Sequence, residues 1–139
     1  MPYNIHEKYL ENEVLGADPL KLVRVLYHGA IDAVAAARIH LLHGAIRERS
    51  RQITKALLIV HELLRSLDHT HDARVSRPLA DLYVYMTRRL VEANSKQIDE
   101  PLAEVERLLT TLLEAWSSLP TPVSEEQHSG EQRWMSRTS

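Results

Sequence analysis

Leucine, valine, isoleucine and alanine recur at three- and four-residue steps along four long stretches of this chain, with charged residues between them. That spacing lines one side of an α-helix, so each stretch predicts an amphipathic helix. The first runs from about residue 19 to 43, with Leu22, Val23, Leu26, Ala30, Ile31, Val34, Ala37 and Leu41 forming its seam. Asp18 is a suitable N-cap, and Pro19 suits the first helical position, where its missing N–H is not needed. Gly44 is placed to end the helix in a left-handed turn. At 1.5 Å per residue this element is roughly 37 Å long.

The second stretch, about 46 to 67, carries Ile53, Ala56, Leu57, Val60, Leu64 and Leu67 on one face. Asp68 to Ala73 is polar and turn-like. The third, about 76 to 94, turns Leu79, Leu82, Tyr83, Met86, Leu90 and Ala93 inward, with Pro78 in its first turn, since a proline further in breaks the ladder. The next turn spans Asn94 to Ile98. The fourth helix, about 99 to 118, takes Asp99 as its cap and buries Leu102, Val105, Leu109, Leu112 and Trp116. Ahead of these lies a short helix, about 4 to 15, with Ile5, Tyr9, Leu10 and Val14 on one side. It is marginal alone and must dock or fray. From Pro120 to Ser139 the chain is rich in proline, serine, glutamate, glutamine and threonine and reads as a flexible tail, with Trp134 and Met135 isolated in it.

Long amphipathic helices with short links make antiparallel neighbours. The expected fold is therefore all-α: an antiparallel up-down four-helix bundle over 1–119, with a short N-terminal cap helix and a tail over 120–139. Composition agrees. Of the 139 residues, 44% are hydrophobic, none is phenylalanine and the apolar mass is helix-forming leucine and alanine.

The chemistry on offer is limited. A net charge of −2 gives no general attraction to phosphate backbones, so no nucleic-acid partner is expected. Cysteine is absent, which removes disulfides, thiol nucleophiles and cysteine-ligated metals. No run approaches the roughly 18 uninterrupted apolar residues of a membrane span, and the first ten residues lack the apolar core of a signal peptide. Eight histidines are present, yet the inward Glu-x-x-His pairs of metal-holding bundles are missing from the helices. Glu125 and His128 have that spacing but lie in the tail. His40 with His43, and His69 with His71 beside Asp72, read as surface histidines. His61 is followed by Glu62-Leu63-Leu64-Arg65-Ser66, without the lysine and small residue of a phosphotransfer helix. Arg47, Arg49 and Arg51, and Arg88 with Arg89, read as solvated helix faces, with Tyr85 available for a cation–π contact. No cofactor, metal site or catalytic group emerges, and an enzyme is not expected.

Apolar residues outnumber the seams. Ile5, Leu10, Leu15, Leu20, Val25, Leu42, Leu58, Ile59, Leu63, Leu113 and Leu119 exceed one narrow stripe per helix. Either the core faces are wide, or a groove is left for a partner's amphipathic helix. Periodicity does not choose between them.

Four blocks do. Ala17-Asp18-Pro19-Leu20-Lys21-Leu22-Val23 is followed by Leu26-Tyr27-His28-Gly29-Ala30-Ile31. Lys55-Ala56-Leu57 runs through to Leu67-Asp68-His69. Leu82-Tyr83-Val84-Tyr85-Met86-Thr87-Arg88-Arg89-Leu90-Val91-Glu92-Ala93-Asn94 is the third, and Glu104-Val105 through Glu114-Ala115-Trp116 the last. In this order and spacing they resemble the secretion chaperones that hold flagellin before export, the FliS family, over Tyr9 to Trp116. The family commonly has aspartate where this chain has His28 and Val84, and a lysine with two glycines near His71 to Ala73. The resemblance implies a bundle with a cap helix. It also implies binding of the C-terminal segment of flagellin in the bacterial cytoplasm, a block on premature polymerisation and delivery to the type III export gate. Contacts expected on this basis are Ile5, Tyr9, Leu10, Val14, Leu15, Leu20 and Tyr27. Other partners kept open are a component of the export gate, a different helical client, and a second copy of the chain when no client is bound.

Overall fold

A computed structural model describes residues 19–67 and 73–118. Four helices make up these residues: α1 (Pro19–Leu42), α2 (Ile46–Ser66), α3 (Ala73–Lys96) and α4 (Glu100–Ser117). α1 packs on α2 and α4, and α3 packs on the same two, so the four form a ring of neighbours. Cross-contacts fix the directions. Arg49 near the start of α2 meets Asn94 near the end of α3, and Arg38 late in α1 meets Asp99 at the start of α4. Adjacent helices therefore run antiparallel. This is the all-α four-helix bundle that the periodicity predicts. The cap helix (about 4–15), Asp18, and the tail from 120 lie outside the described residues.

The core is built largely from small and medium aliphatic side chains. Ala30, Ala33 and Ala37 of α1, Ala56 of α2 and Ala93 of α3 are all buried, beside Val34, Ile53, Val60, Met86, Leu90, Leu102 and Leu109. Alanine faces let helix axes approach closely. At Gly29 an added Cβ falls 3.2 Å from Cδ1 of Ile59, so α2 sits almost directly on the α1 backbone there. Mid-helix glycine is about 1 kcal/mol poorer than alanine, and the close seat of Ile59 accounts for its use.

α1 is also the most apolar of the four helices in composition. Arg24, Asp32 and Arg38 interrupt it, yet Leu20–Leu42 has a window of mean hydropathy 1.2, enough by length and composition to cross a bilayer. Its apolar residues have a destination within the protein, because the Leu26, Tyr27, Ala30, Val34 and Ala37 side lines the bundle interior.

Helix ends show where local chemistry rules and where it yields. α1 closes as the glycine predicts. Gly44 has φ +71°, the Ala45 N–H reaches the His40 carbonyl at 2.9 Å, and the Gly44 N–H reaches Leu41 at 3.2 Å. These two bonds make a Schellman motif. Nothing lies within 4 Å of an added Cβ at Gly44, so Gly44→Ala isolates the backbone term: a loss of about 1–2 kcal/mol in urea-melt stability is expected.

Three expectations need correction. α3 starts at Ala73 instead of about 76, which puts Pro78 beyond the first turn. Pro78 is exposed, so its ring, which has no N–H to give the helix ladder, lies on the outer side of α3. α3 also continues past Ala93 to Lys96, and Gln97 takes the left-handed position with φ 57° without a glycine to announce it. Asp99 stands at the N-cap of α4 but makes no side-chain cap bond. Its carboxylate is taken by Arg38, whose Nε and Nη2 donate at 2.8 and 2.9 Å.

A fourth correction concerns Arg49, which is not on a solvated face. It is 4% exposed. Its Nε donates to Oδ1 of Asn94 at 3.0 Å, Nη2 to the Asn94 carbonyl at 3.4 Å, and Nη1 to Oε1 of Gln97 at 3.5 Å. The guanidinium thus ties the start of α2 to the end of α3.

Candidate functional site

The apolar surplus divides once the helices are assembled. Ile59 and Leu63 are buried, at 2% and 1% exposure, and Leu113 packs against the core. α2 therefore uses a wide face, which explains part of the excess. Val25, Leu42 and Leu58 remain outside at 44%, 81% and 58%. The seams also conceal Ile39, Ile46, Val75, Val84, Val91 and Ile98, all exposed and all missed by a search for apolar runs. The signal for them is phase: each except Ile98, which sits in the α3–α4 link, falls off the core stripe of its own helix.

Of the seven expected contact residues, Ile5, Tyr9, Leu10, Val14 and Leu15 lie outside the described residues. Leu20 is half-buried in the first turn of α1. Tyr27 has no exposed surface. Its hydroxyl lies 2.6 Å from that of Tyr83 and its ring meets Tyr83 edge-on, with centroids 6.4 Å apart. Tyr27 is thus an interior strut between α1 and α3, and in this arrangement it offers a partner nothing to touch. Burial raises the pKa of both phenols, and for Tyr83 the charge of an ionised Tyr27 adds to the rise.

Polar side chains on α3 and α4 are spent on each other. Arg89 donates to Glu104 and Glu92 at 2.7 Å each, and Tyr85 donates to Glu104 at 2.8–2.9 Å. Hydrogen bonds from Arg89, then from Tyr85, hold the Glu104 carboxyl below its usual range. Arg88 lies 5.9 Å from the centre of the Tyr85 ring. This is a mutually neutralising seam, with each carboxylate committed to a neighbour. Among the described residues no three histidine or acidic side chains are grouped to hold a metal. His61 is exposed on α2, and His43 is turned to the Ile39 carbonyl at 2.9 Å.

An open groove of about 690 Å³ runs along the α1–α4 edge. Ala35, Ile39, Leu41 and Leu42 form its apolar side, and Arg38, Gln97, Asp99 and Glu106 its polar side. Arg38 bridges the two carboxylates, donating to Glu106 at 2.7 Å. Its pKa is raised by the bond to Asp99 and then by that to Glu106. Such a surface can seat apolar side chains; it has no free nucleophile or base. The arrangement suits binding.

The comparisons agree with that picture. The family described as flagellar protein FliS matches residues 2–122. The flagellar secretion chaperone FliS of Salmonella typhimurium is 33% identical over 116 residues, 83% of this chain and 86% of that protein. The FliS of Bacillus subtilis is 30% identical over 125 residues, 90% of this chain and 92% of the relative. The flagellar secretion chaperone FliSB of Pseudomonas aeruginosa is 33% identical over 110 residues, covering 79% and 87%. Matched across nearly its whole length by the family and by relatives of similar size, the chain belongs to the FliS family of flagellar proteins.

Proposed function

We propose that this chain, a flagellar secretion chaperone by family, holds the C-terminal segment of flagellin in the cytoplasm, blocks premature polymerisation and supports delivery to the type III export gate. The observation that carries this reading is the match to relatives named flagellar secretion chaperones over four-fifths or more of the chain. The physical surface supports it. The bundle keeps several large aliphatic side chains outside, which is what an amphipathic client helix needs. It acts by binding and not by catalysis.

The client helix lies in a groove between bundle helices. The segment before Asp18, with Ile5, Tyr9, Leu10, Val14 and Leu15, covers that groove when the client is absent, and Leu20 sits at its root. Ordering a client segment on binding consumes about 2–5 kcal/mol of the gross interaction energy, so the complex stays releasable for export. Titration calorimetry with a peptide of the flagellin C-terminal segment tests this. A 1:1 complex is expected, and a chain starting at residue 18 is expected to keep its far-UV spectrum while its affinity changes. Absence of binding by the full chain contradicts the client assignment; equal affinity with and without the first 17 residues contradicts the gating role.

A further inference from the structure

The side of the bundle opposite the α1–α4 groove is formed by α2 and α3, because the four helices are neighbours in a ring. Cross-helix bonds fix which side chains flank it. On α3, Asn94 meets Arg49 and Ser50 of α2, whereas Tyr85 and Arg89 meet Glu104 of α4. Val84 and Val91 lie two turns apart on the α2 side of the outer surface of α3, 41% and 54% exposed. On α2, Leu57 and Leu64 follow Ser50 at seven-residue steps, so they share its flank next to α3. Both are half-buried. The bond from the Ser50 hydroxyl to Oδ1 of Asn94, at 3.1 Å, sets the register. It places Leu57 level with Thr87 and Leu64 level with Ala80, so the two valines alternate with the two leucines. The result is an apolar strip about 16 Å long, the rise of three helical turns.

Positive charge gathers around this strip. α2 and α3 hold ten lysine and arginine residues against four aspartate and glutamate, although the whole chain has 17 against 19. Arg88 stands between the two valines, Arg77 two turns before Val84, and Arg47 one turn before Ser50, all three exposed. Asp81 is the one acidic side chain on the same face of α3. Among the described residues none of these three arginines has a carboxylate within 4.0 Å. On the other sides the cations are neutralised, Arg38 by Asp99 and Glu106, and Arg89 by Glu92 and Glu104.

We infer that the α2–α3 face is a second docking surface, which takes an acidic amphipathic helix of a protein other than the client. Charge complementarity selects this occupant. A helix with an apolar seam flanked by glutamate or aspartate covers the strip and supplies the carboxylates that the rim arginines lack. A phosphate backbone gains nothing from covered valine and leucine, and no described aromatic ring lies on this face for a base to stack on. Because the face stands opposite the α1–α4 groove, a helix can be held on each side at once. The chain thereby joins a client to a second protein.

Fluorescence anisotropy of a labelled synthetic peptide tests this, the peptide being an acidic helix with leucine at i, i+4, i+7 and i+11 and glutamate at most other positions. The full chain is expected to bind it at low salt with micromolar affinity and to weaken as salt is added. Val84→Gln with Val91→Gln, and Arg77→Glu with Arg88→Glu, change exposed positions and keep the far-UV spectrum and urea midpoint. Each pair is expected to lower affinity at least about tenfold, while a flagellin C-terminal peptide binds both variants as it binds the wild type. A wild-type chain that ignores the acidic helix overturns the inference, whether or not it binds flagellin. So does equal binding of a peptide of the same composition with its leucines scattered, or tighter binding of a single-stranded RNA or of anionic lipid vesicles. Loss of flagellin-peptide binding in either variant assigns the face to the client, and a tenfold gain in probe affinity for a chain starting at residue 18 assigns it to the chain's own first segment. Either result is equally fatal.

Discussion

Truncating Tyr83 to alanine lowers the unfolding free energy by about 3–5 kcal/mol, the range for removing a large side chain from a packed core. Tyr83 is 1% exposed, and its ring and hydroxyl both engage Tyr27 across the bundle diagonal. Two further variants separate ring from hydroxyl. Tyr83→Phe keeps the ring but strands the Tyr27 hydroxyl, a loss of about 1–3 kcal/mol. In the double variant Tyr27→Phe with Tyr83→Phe neither hydroxyl remains to be satisfied, so its loss is smaller than the sum of the two single changes. Urea unfolding of the wild type, Tyr27→Phe, Tyr83→Phe and the double variant measures this directly.

The same pair sets an alkaline limit. Both phenols ionise near pH 10 in the unfolded chain, and burial raises both in the folded state. A raised folded pKa means stability is intact below pH about 10 and is lost as pH climbs toward the folded value. The bundle therefore weakens as pH rises above about 10. The double phenylalanine variant weakens less above that pH.

Asn94→Ala is expected to remove about 2–3 kcal/mol, more than a neutral surface amide is worth. Asn94 supplies the Oδ1 that accepts from the buried Arg49 at 3.0 Å and from the Ser50 hydroxyl at 3.1 Å. Without it, among the described residues, the 4% exposed Arg49 keeps the more distant Asn94 carbonyl and Gln97 Oε1, at 3.4 and 3.5 Å, as its acceptors. Arg49→Met removes the charge that needs them. In the Asn94→Ala background it should return part of the lost stability, so the double-mutant cycle shows coupling of about 1–3 kcal/mol. Additive losses from the two changes would mean that Arg49 is solvated in spite of its position.

What was legible in the sequence follows from range. Burial repeats every three or four residues, so Leu26, Ala30, Val34, Ala37, Ile53, Ala56, Val60, Met86, Leu90 and Leu102 all reveal themselves through periodicity, and all are buried. The end of α1 is readable because Gly44 is the residue a left-handed turn prefers. The end of α3 is not, because Gln97 takes that conformation with no local sign. Arg49 and Asp99 mislead for one reason: their partners, Asn94 and Arg38, stand 45 and 61 positions away. Local rules give arginine to solvent and aspartate to a cap; the assembled bundle reassigns both.

Tyr27 shows the limit at the site. A tyrosine that meets Tyr83 inside a bundle and one that meets a client helix are equally apolar along their rings, so periodicity cannot separate them. Family resemblance supplies the role of the molecule from four separated blocks. It does not supply the phase of individual contacts. Exposed residues such as Val25, Leu58, Val84 and Val91 emerge only after the core has taken what it uses.

If the bundle masks the C-terminal segment of flagellin, as proposed, it inhibits elongation of flagellin filaments from seeds, and that inhibition can be measured. With monomeric flagellin and increasing amounts of the chain, elongation should fall in proportion and stop near one chain per monomer. Flagellin lacking its C-terminal segment should form no complex with the chain. Elongation that continues unchanged at several-fold excess of the chain, or equal binding to flagellin without that segment, contradicts it.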